Sequence, residues 1–485
     1  MVTARTSHAR VPGDSSKRLL PWLVAVAFFM EALDATILNT AVPPIARALQ
    51  VAPLSMKAVL SSYTLAVAVF VPVSGWLADR YGTRRVFSTA IGVFTTGSML
   101  CGLSNSIHAL VACRILQGMG GAMLVPVGRL TIVRAFPKAQ LVRAMSFVVI
   151  PALVGPMLGP VAGGFIVHYL PWRTIFFVNL PIGLVGLYLV SRHLPDFRDP
   201  RSSPLDWVGL VLFSSGLALL SYVLEVFGEH TLSGREILGL LVISLTLLAA
   251  YGRYSVTTPH PLLQFALARI RTFRVAVGGG FLTRLAAGGM PFLLPLLYQV
   301  GLGYTPVQAA LLIIPQPLAA MSLKMTVPAI LQRFGYRRVL LWNTICMGTL
   351  IALFSIIGPN TPVWQILLQG FIFGFSLSMQ YSSTNTLVYA DIPALDSSMA
   401  STISSTMQQL SMSFGVALAS LAAALFLPDR FHSNAAQMIH GLHLAFIALG
   451  ALTVLSALVF SSLRTGDGAG VARDKEIIPA NRLGD

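Results

Sequence analysis

Apolar stretches long enough to cross a bilayer recur from one end of this chain to the other. A helix needs about 20 apolar residues to span the hydrocarbon core. In hydrocarbon, each backbone N–H and C=O has to be satisfied inside the protein, which leaves helices and closed barrels. Such stretches occupy roughly 20–45, 58–78, 86–104, 107–133, 144–169, 174–191, 205–227, 236–252, 274–301, 306–330, 339–358, 362–389, 398–428 and 443–463. They predict an all-α integral membrane protein of fourteen transmembrane helices. Of the 485 residues, 55% are hydrophobic and only 10% charged, against roughly 25% charged in an ordinary soluble domain. The mean hydropathy is +0.76. So little charge cannot cover a water-exposed surface, which argues against a soluble enzyme, a nucleic-acid binder and a disordered chain. The polar start and the long apolar run behind it do not read as a cleaved signal peptide. Cys101, Cys113 and Cys346 all lie in apolar segments, with neither a disulfide framework nor metal-ligand spacing.

The net charge of +16 is scattered in short clusters between apolar runs, as in loops at a membrane surface, and forms no stripe that would grip nucleic acid. With the N-terminus placed in the cytoplasm, cytoplasmic segments hold 24 Lys and Arg and outside segments hold five: Arg47, Lys57, Arg173, Arg235 and Arg430. The positive-inside rule then puts both termini in the cytoplasm of a cell whose inner (plasma) membrane the chain crosses many times. Four basic residues stay within spans: Arg114, Arg129, Arg284 and Lys324.

The chain also repeats itself. Arg80–Val86 reads RYGTRRV and Arg333–Val339 reads RFGYRRV, 253 residues apart; Gln117-Gly118 recurs as Gln369-Gly370, 252 apart. Two markers agreeing on one register describe two parallel halves, a mark of transporters built from repeats. Six spans with short loops need an offset of only about 190, so about two spans lie between the halves. The expected organisation is a cytoplasmic tail (1–19), a six-helix half (20–191), a linker with a two-helix insert (192–272), a second six-helix half (273–463) and a cytoplasmic tail (464–485).

At these residues a family resemblance becomes specific. Gly75–Arg85, GWLADRYGTRR, resembles the loop signature of the major facilitator superfamily, with Thr83 where a basic residue is usual. Arg114–Ala122, RILQGMGGA, is similar to its fourth-span motif, and Gly155–Gly164, GPMLGPVAGG, to the fifth-span motif of its antiporters. Leu33–Pro43, LDATILNTAVP, and Trp172–Gly183, WRTIFFVNLPIG, resemble segments of the fourteen-span drug:proton antiporters of multidrug-resistance type. The resemblance implies the major facilitator fold, with two six-helix halves plus a two-helix insert.

Ionisable groups within a membrane are expensive and mark function by default. Glu31 and Asp34 lie three residues apart on one helical face. Asp34 sits roughly 14 Å from the outer end of its span and Arg114 roughly 10 Å from the outer end of the fourth, at 1.5 Å per residue. An Asp34–Arg114 pair is therefore feasible, with Glu31 one turn deeper. Asp34, Glu31 and Arg114 are the expected proton-coupling residues, Asp34 first; the competing reading is a fixed ion pair that holds two helices in register. Arg284 lies roughly 20 Å into its span, too deep for easy snorkelling. It is a substrate-cavity candidate for an anionic or polar group, with Gln117, Gln369 and Asn39; the alternative for Arg284 is a pair with a carboxylate across the halves. Lys324 and Arg129 lie nearer cytoplasmic ends and can snorkel to water.

Gly155, Gly159 and Gly163 form a flat stripe for close helix packing, and Pro156 and Pro160 add kinks. The resemblance makes this segment a pivot that seals the halves against leak. It likewise makes Gly75, Asp79, Arg80, Gly82, Arg84 and Arg85 a conformational gate, with Asp79 latching the halves near Ser397 and Ser398; the competing reading for Asp79 is a surface salt bridge with a neighbouring Arg. The expected function is proton-coupled export of small amphipathic compounds by a secondary transporter, with the proton as coupling ion and no cofactor. Partners are the small-molecule substrate and the lipid bilayer, and the chain is expected to act as a monomer. No GxxxxGK[ST] loop is present to bind ATP, and no cluster of catalytic groups suggests an enzyme. An importer or uniporter of one metabolite, and a transporter-like sensor, remain alternatives on the same fold.

Overall fold

The computed structural model describes residues 14–136, 138–198, 204–226, 232–259, 261–322, 326–393, 396–426 and 435–468. These residues are almost wholly helical, as hydrocarbon demands. Among the described residues, eleven helices are long and apolar enough to cross a membrane, from Leu19–Ala48 to Ala435–Ser461. Three further segments complete the fourteen: Lys138–Tyr169, with Pro151, Pro156 and Pro160 inside it; the broken pair Pro306–Ile313 and Pro315–Ser322, continued by the start of Val327–Leu353; and Val363–Leu387.

The two halves repeat in packing as well as in sequence. With the spans numbered in chain order, span 1 (Asp14–Ile37) and span 5 (Lys138–Tyr169) pair in the first half, and span 9 (Arg271–Leu296) and span 13 (Ser397–Leu425) pair in the second. Span 4 packs on spans 2 and 3, and span 12 on spans 10 and 11. The halves meet along two related seams, span 2 against span 13 and span 5 against span 10. The insert helices, Trp207–Val226 and Gly234–Thr257, pack on each other, and the first of them touches spans 2 and 13. This is the expected order of six spans, two spans and six spans.

Local chemistry sets the span ends. Ser106 accepts a hydrogen bond from the Ala109 N–H, while Ser233/Glu236 and Thr305/Gln308 form capping boxes. These caps begin spans 4, 8 and 10 at the face opposite the basic loops, where they satisfy orphan N–H groups. At the basic-loop face both loop markers turn on a glycine in the left-handed region: Gly82 at φ 95° and Gly335 at φ 74°. Only glycine adopts that turn at no steric cost.

The first loop also explains Thr83. Its N–H donates to the Phe197 carbonyl at 3.0 Å, its hydroxyl donates to the Pro195 carbonyl, and it accepts from the Phe197 N–H. Asp196 accepts from the Arg84 N–H at the start of span 3. The linker is thus pinned to the loop by a threonine where the resemblance leads one to expect a base. In the second half, Asp467 reaches back to Arg271 with two hydrogen bonds, of 2.6 and 3.1 Å.

Candidate substrate and coupling site

The structure brings Asp34 and Arg114 together. Arg114 Nη1 donates to Asp34 Oδ2 at 2.6 Å and to Gln117 Oε1 at 2.8 Å. Gln117 Nε2 and Asn179 Nδ2 both donate to Asp34 Oδ1, at 2.8 and 2.7 Å. Asn179 also donates to the Ser98 hydroxyl, which donates to the Phe176 carbonyl. Spans 1, 4 and 6 therefore meet on one carboxylate, and span 3 joins them through Ser98. Asp34 is 1% exposed and Arg114 2%. Two buried charges persist in such a place only when paired and further hydrogen-bonded; this pair is both.

The glycines of RILQGMGGA let the helices come this close. A methyl at Gly118 would lie 2.7 Å from the Tyr63 carbonyl, and one at Gly121 would lie 2.6 Å from the Tyr63 hydroxyl. Span 4 is thereby pressed onto Tyr63 of span 2, whose ring lies 4.3 Å below the Arg114 guanidinium. The Tyr63 hydroxyl donates to Glu31 Oε1 at 3.4 Å. One tyrosine thus touches both the buried pair and the second carboxylate.

Glu31 faces a cavity of about 350 Å³ between the halves. The first half contributes Glu31 and Arg129, and the second contributes Asn385, Tyr389, Gln408 and Gln409. The cavity lies toward the basic-loop face. At the opposite face the halves are joined by hydrogen bonds from Gln299 Nε2 to the Thr40 carbonyl at 2.9 Å and from the Ser420 hydroxyl to the Leu54 carbonyl at 3.2 Å. A continuous apolar cluster containing Ile37, Leu60, Leu293 and Leu297 closes that side.

Several expectations need correction. None of Arg284, Gln117, Gln369 and Asn39 lines this cavity. Gln117 belongs to the ion-pair network. Gln369 bonds span 12 to span 11 through the Leu350 carbonyl. Asn39 opens a short 3-10 turn where the first span breaks before Pro43 and Pro44. Arg284 is 4% exposed and reaches the cavity only through Asn385, to whose Oδ1 its Nη2 donates at 2.8 Å. Arg129, expected merely to snorkel, lines the cavity. Lys324 lies outside the described residues.

The glycine stripe does not face the other half. A side chain at Gly155 would meet Ala32 and Leu33, one at Gly159 would meet Thr36, and one at Gly163 would meet Ile37 and Thr40. All three seat span 5 on span 1, the helix that carries Glu31 and Asp34. The residue that meets the second half is Gly164, where a methyl would lie 2.7 Å from the Pro306 carbonyl. Pro160 leaves its carbonyl to the Thr40 hydroxyl at 3.0 Å, and Pro156 lies inside the same helix. Asp79 does not reach Ser397; it pairs with Arg134 of its own half at 2.6 Å. Gly75 faces open space.

The sequence reading missed Asn179, Tyr63 and Ser98. Asn179 stood within the quoted WRTIFFVNLPIG segment, but an amide carries no charge cost to single it out.

Comparison with known proteins decides the family. The profile described as Major Facilitator Superfamily matches residues 24–416. The chain belongs to the major facilitator superfamily. Its curated relatives include a putative multidrug resistance protein MdtD of Klebsiella pneumoniae, 38% identical over 92% of this chain and 95% of that protein. Another MdtD, from Shigella flexneri, is 40% identical over 85% and 87%. Solved structures share the fold at low identity. A POT family transporter in complex with a thioalcohol-conjugated peptide superposes with a TM-score of 0.68 at 15% identity, covering 91% of this chain and 95% of that one. A D-xylose–proton symporter gives 0.63 at 12%, covering 93% and 98%. This superfamily member is a secondary transporter that crosses the membrane many times and acts on a small-molecule substrate.

Proposed function

We propose that this transporter exports small amphipathic compounds, drugs or toxic metabolites, in exchange for protons across the inner membrane. The MdtD relatives, named putative multidrug resistance proteins, support the cargo class. The basic loops support an orientation with both termini cytoplasmic, so the cavity opens inward and the far-face seal is the outer gate. The chain works as a monomer with the proton as its coupling ion, in the five-part organisation given above.

One observation carries the coupling reading: two carboxylates a turn apart on span 1 in unlike settings. Asp34 is sealed in a network that pulls four spans together, whereas Glu31 lies on the cavity wall. Glu31 is then the group that exchanges protons with the cavity in this state, and Tyr63 relates it to the Arg114–Asp34 pair. Asp34 takes its turn when span 1 moves and the network opens. A fixed charge pair would leave transport indifferent to a proton gradient.

Proteoliposomes test this. With an imposed pH gradient, wild type should accumulate an amphipathic dye against its concentration gradient. Asp34→Asn should lose uphill movement while still binding the dye, and Glu31→Gln should shift the pH dependence. Uphill flux equal to wild type in both variants would move the coupling site elsewhere. Substrate binding without any flux would favour the sensor.

A further inference from the structure

Among the described residues, Arg284 is a buried cation with no carboxylate partner. The chain has no Asp or Glu from Arg271 to Ala390, and none within the helices Ser397–Leu425 and Ala435–Ser461. What Arg284 does have is neutral. Its Nη2 donates to Asn385 Oδ1 at 2.8 Å and to the Thr384 hydroxyl at 3.3 Å. Its guanidinium lies 4.6 Å over the Tyr381 ring. Its Nε is buried with no acceptor. A guanidinium presents five N–H donors in a rigid fork matched to a carboxylate. Leaving such a charge buried without an anion is costly unless something returns the difference.

Position strengthens the case. Glu31 and Arg284 lie 253 residues apart, the same offset as Arg80 and Arg333. They are mates across the repeat, one acid and one base, each on the first span of its half. Glu31 lines the cavity, and Asn385, the amide held by Arg284, lines it too. Arg129 places a positive group on the wall itself. A ligand entering the cavity therefore meets one carboxylate, one guanidinium, and an amide that stands in front of another guanidinium.

We propose that Arg284 and Asn385 form a subsite for a carboxylate on the transported compound. The cargo carboxylate displaces the Asn385 side-chain oxygen as the acceptor of the Arg284 N–H groups and supplies the charge that the second half lacks. The apolar remainder lies along the cavity wall. The amphipathic cargo is then a carboxylate-bearing one, and this rests on the export reading given above only for the direction of movement. Binding at the subsite is independent of it.

The test uses the purified full-length protein in detergent and three amphipathic probes on one aromatic scaffold: a carboxylate, its neutral methyl ester and the matching amine. Affinities are measured at neutral pH by calorimetry. Charge-assisted bonds to Arg284 should make the carboxylate bind roughly tenfold or more tighter than the ester. Asn385→Asp, close to wild type in shape, places a competing carboxylate beside Arg284 and should collapse that preference. Arg284→Gln should collapse it too, and Arg284→Lys should restore only part, lacking the bidentate fork. Equal binding of carboxylate and ester by wild type, or a preference that survives Asn385→Asp, overturns the subsite. If the preference behaves as expected but proteoliposomes show no uphill flux, the subsite stands and the export reading falls. If flux persists with no carboxylate preference, the reverse holds.

Discussion

The first spans of the two halves pack alike and are charged oppositely. Span 1 rests on span 5 through Gly155, Gly159 and Gly163. Span 9 rests on span 13 through its own glycines, and a methyl at Gly415 would lie 2.5 Å from the Leu285 carbonyl. Yet Glu31 is answered by Arg284, the place of Asp34 falls on Ala287, and the place of Arg114 falls on Ile366, which is 0% exposed. Gln117 binds the ion pair, while its mate Gln369 donates to the Leu350 carbonyl. The repeat has preserved close packing and let the charges diverge. Small residues at a helix contact are demanded by geometry; a buried pair is exchangeable for apolar side chains as long as both partners go together. One half thus keeps a carboxylate–guanidinium pair, and the other keeps Arg284, held by an amide and a hydroxyl.

The widest gap between the halves should appear in stability. Asp34→Ala strands Arg114 without its carboxylate and should cost about 3–5 kcal/mol. It should show as a large fall in the thermal unfolding midpoint in detergent. Arg284→Leu removes a charge that had no carboxylate and should stay within about 1 kcal/mol of wild type. Equal losses from the two variants would break the comparison.

A smaller effect separates contacts within a half from contacts between halves. Gly159→Leu forces span 5 off Thr36 and should cost about 1–3 kcal/mol by overpacking, with transport lost. Gly164→Leu pushes on Pro306 across the seam and should spare stability while loosening the far face. Hydrogen exchange at Leu297–Gly301 should then rise several-fold. Unaltered exchange there would remove Gly164 from the gate.

The smallest effect distinguishes the two loop clamps. Burial pushes the Asp467 carboxyl up, but the hydrogen bonds from Arg271 and from the Arg464 N–H outweigh it and hold the group below its ordinary value. A carboxylate held low contributes stability above its unfolded pKa and loses it as pH falls through the folded one. Asp467→Asn should therefore cost under ~1 kcal/mol at neutral pH and flatten the acid side of a pH–stability curve. In the first half, Asp196→Asn keeps a side-chain oxygen at the start of span 3 and should cost less still. An undiminished acid-side slope in Asp467→Asn would leave the second clamp without a role in stability.

Much of this was legible in the residues themselves. Apolar length set the spans, because hydrocarbon admits no other way to satisfy a backbone, and the duplicated loop marker placed the insert. The Asp34–Arg114 pair could be anticipated because depth follows from a fixed rise per residue and an intramembrane charge needs a partner. Arg284 was visible as too deep to snorkel. Whether it meets a carboxylate across the halves or a neutral group was open in the sequence, and the fold gives it Asn385 and Thr384.

What only the tertiary structure decided is which faces meet. Four-residue glycine spacing declares that something packs closely, and it is equally satisfied by span 1 or by the other half; the fold chose span 1 and left Gly164 to the seam. Asp79 had bases within reach on several loops, and the loop geometry selected Arg134. Gln408 and Gln409 become a cavity wall only because span 13 is rotated to present them there. Periodicity fixes a residue's position around its own helix axis, whereas the rotation of one helix against another is set by ridges and grooves contributed by distant parts of the chain. That is why the buried charges could be read along the sequence, while the cavity between them required the bundle.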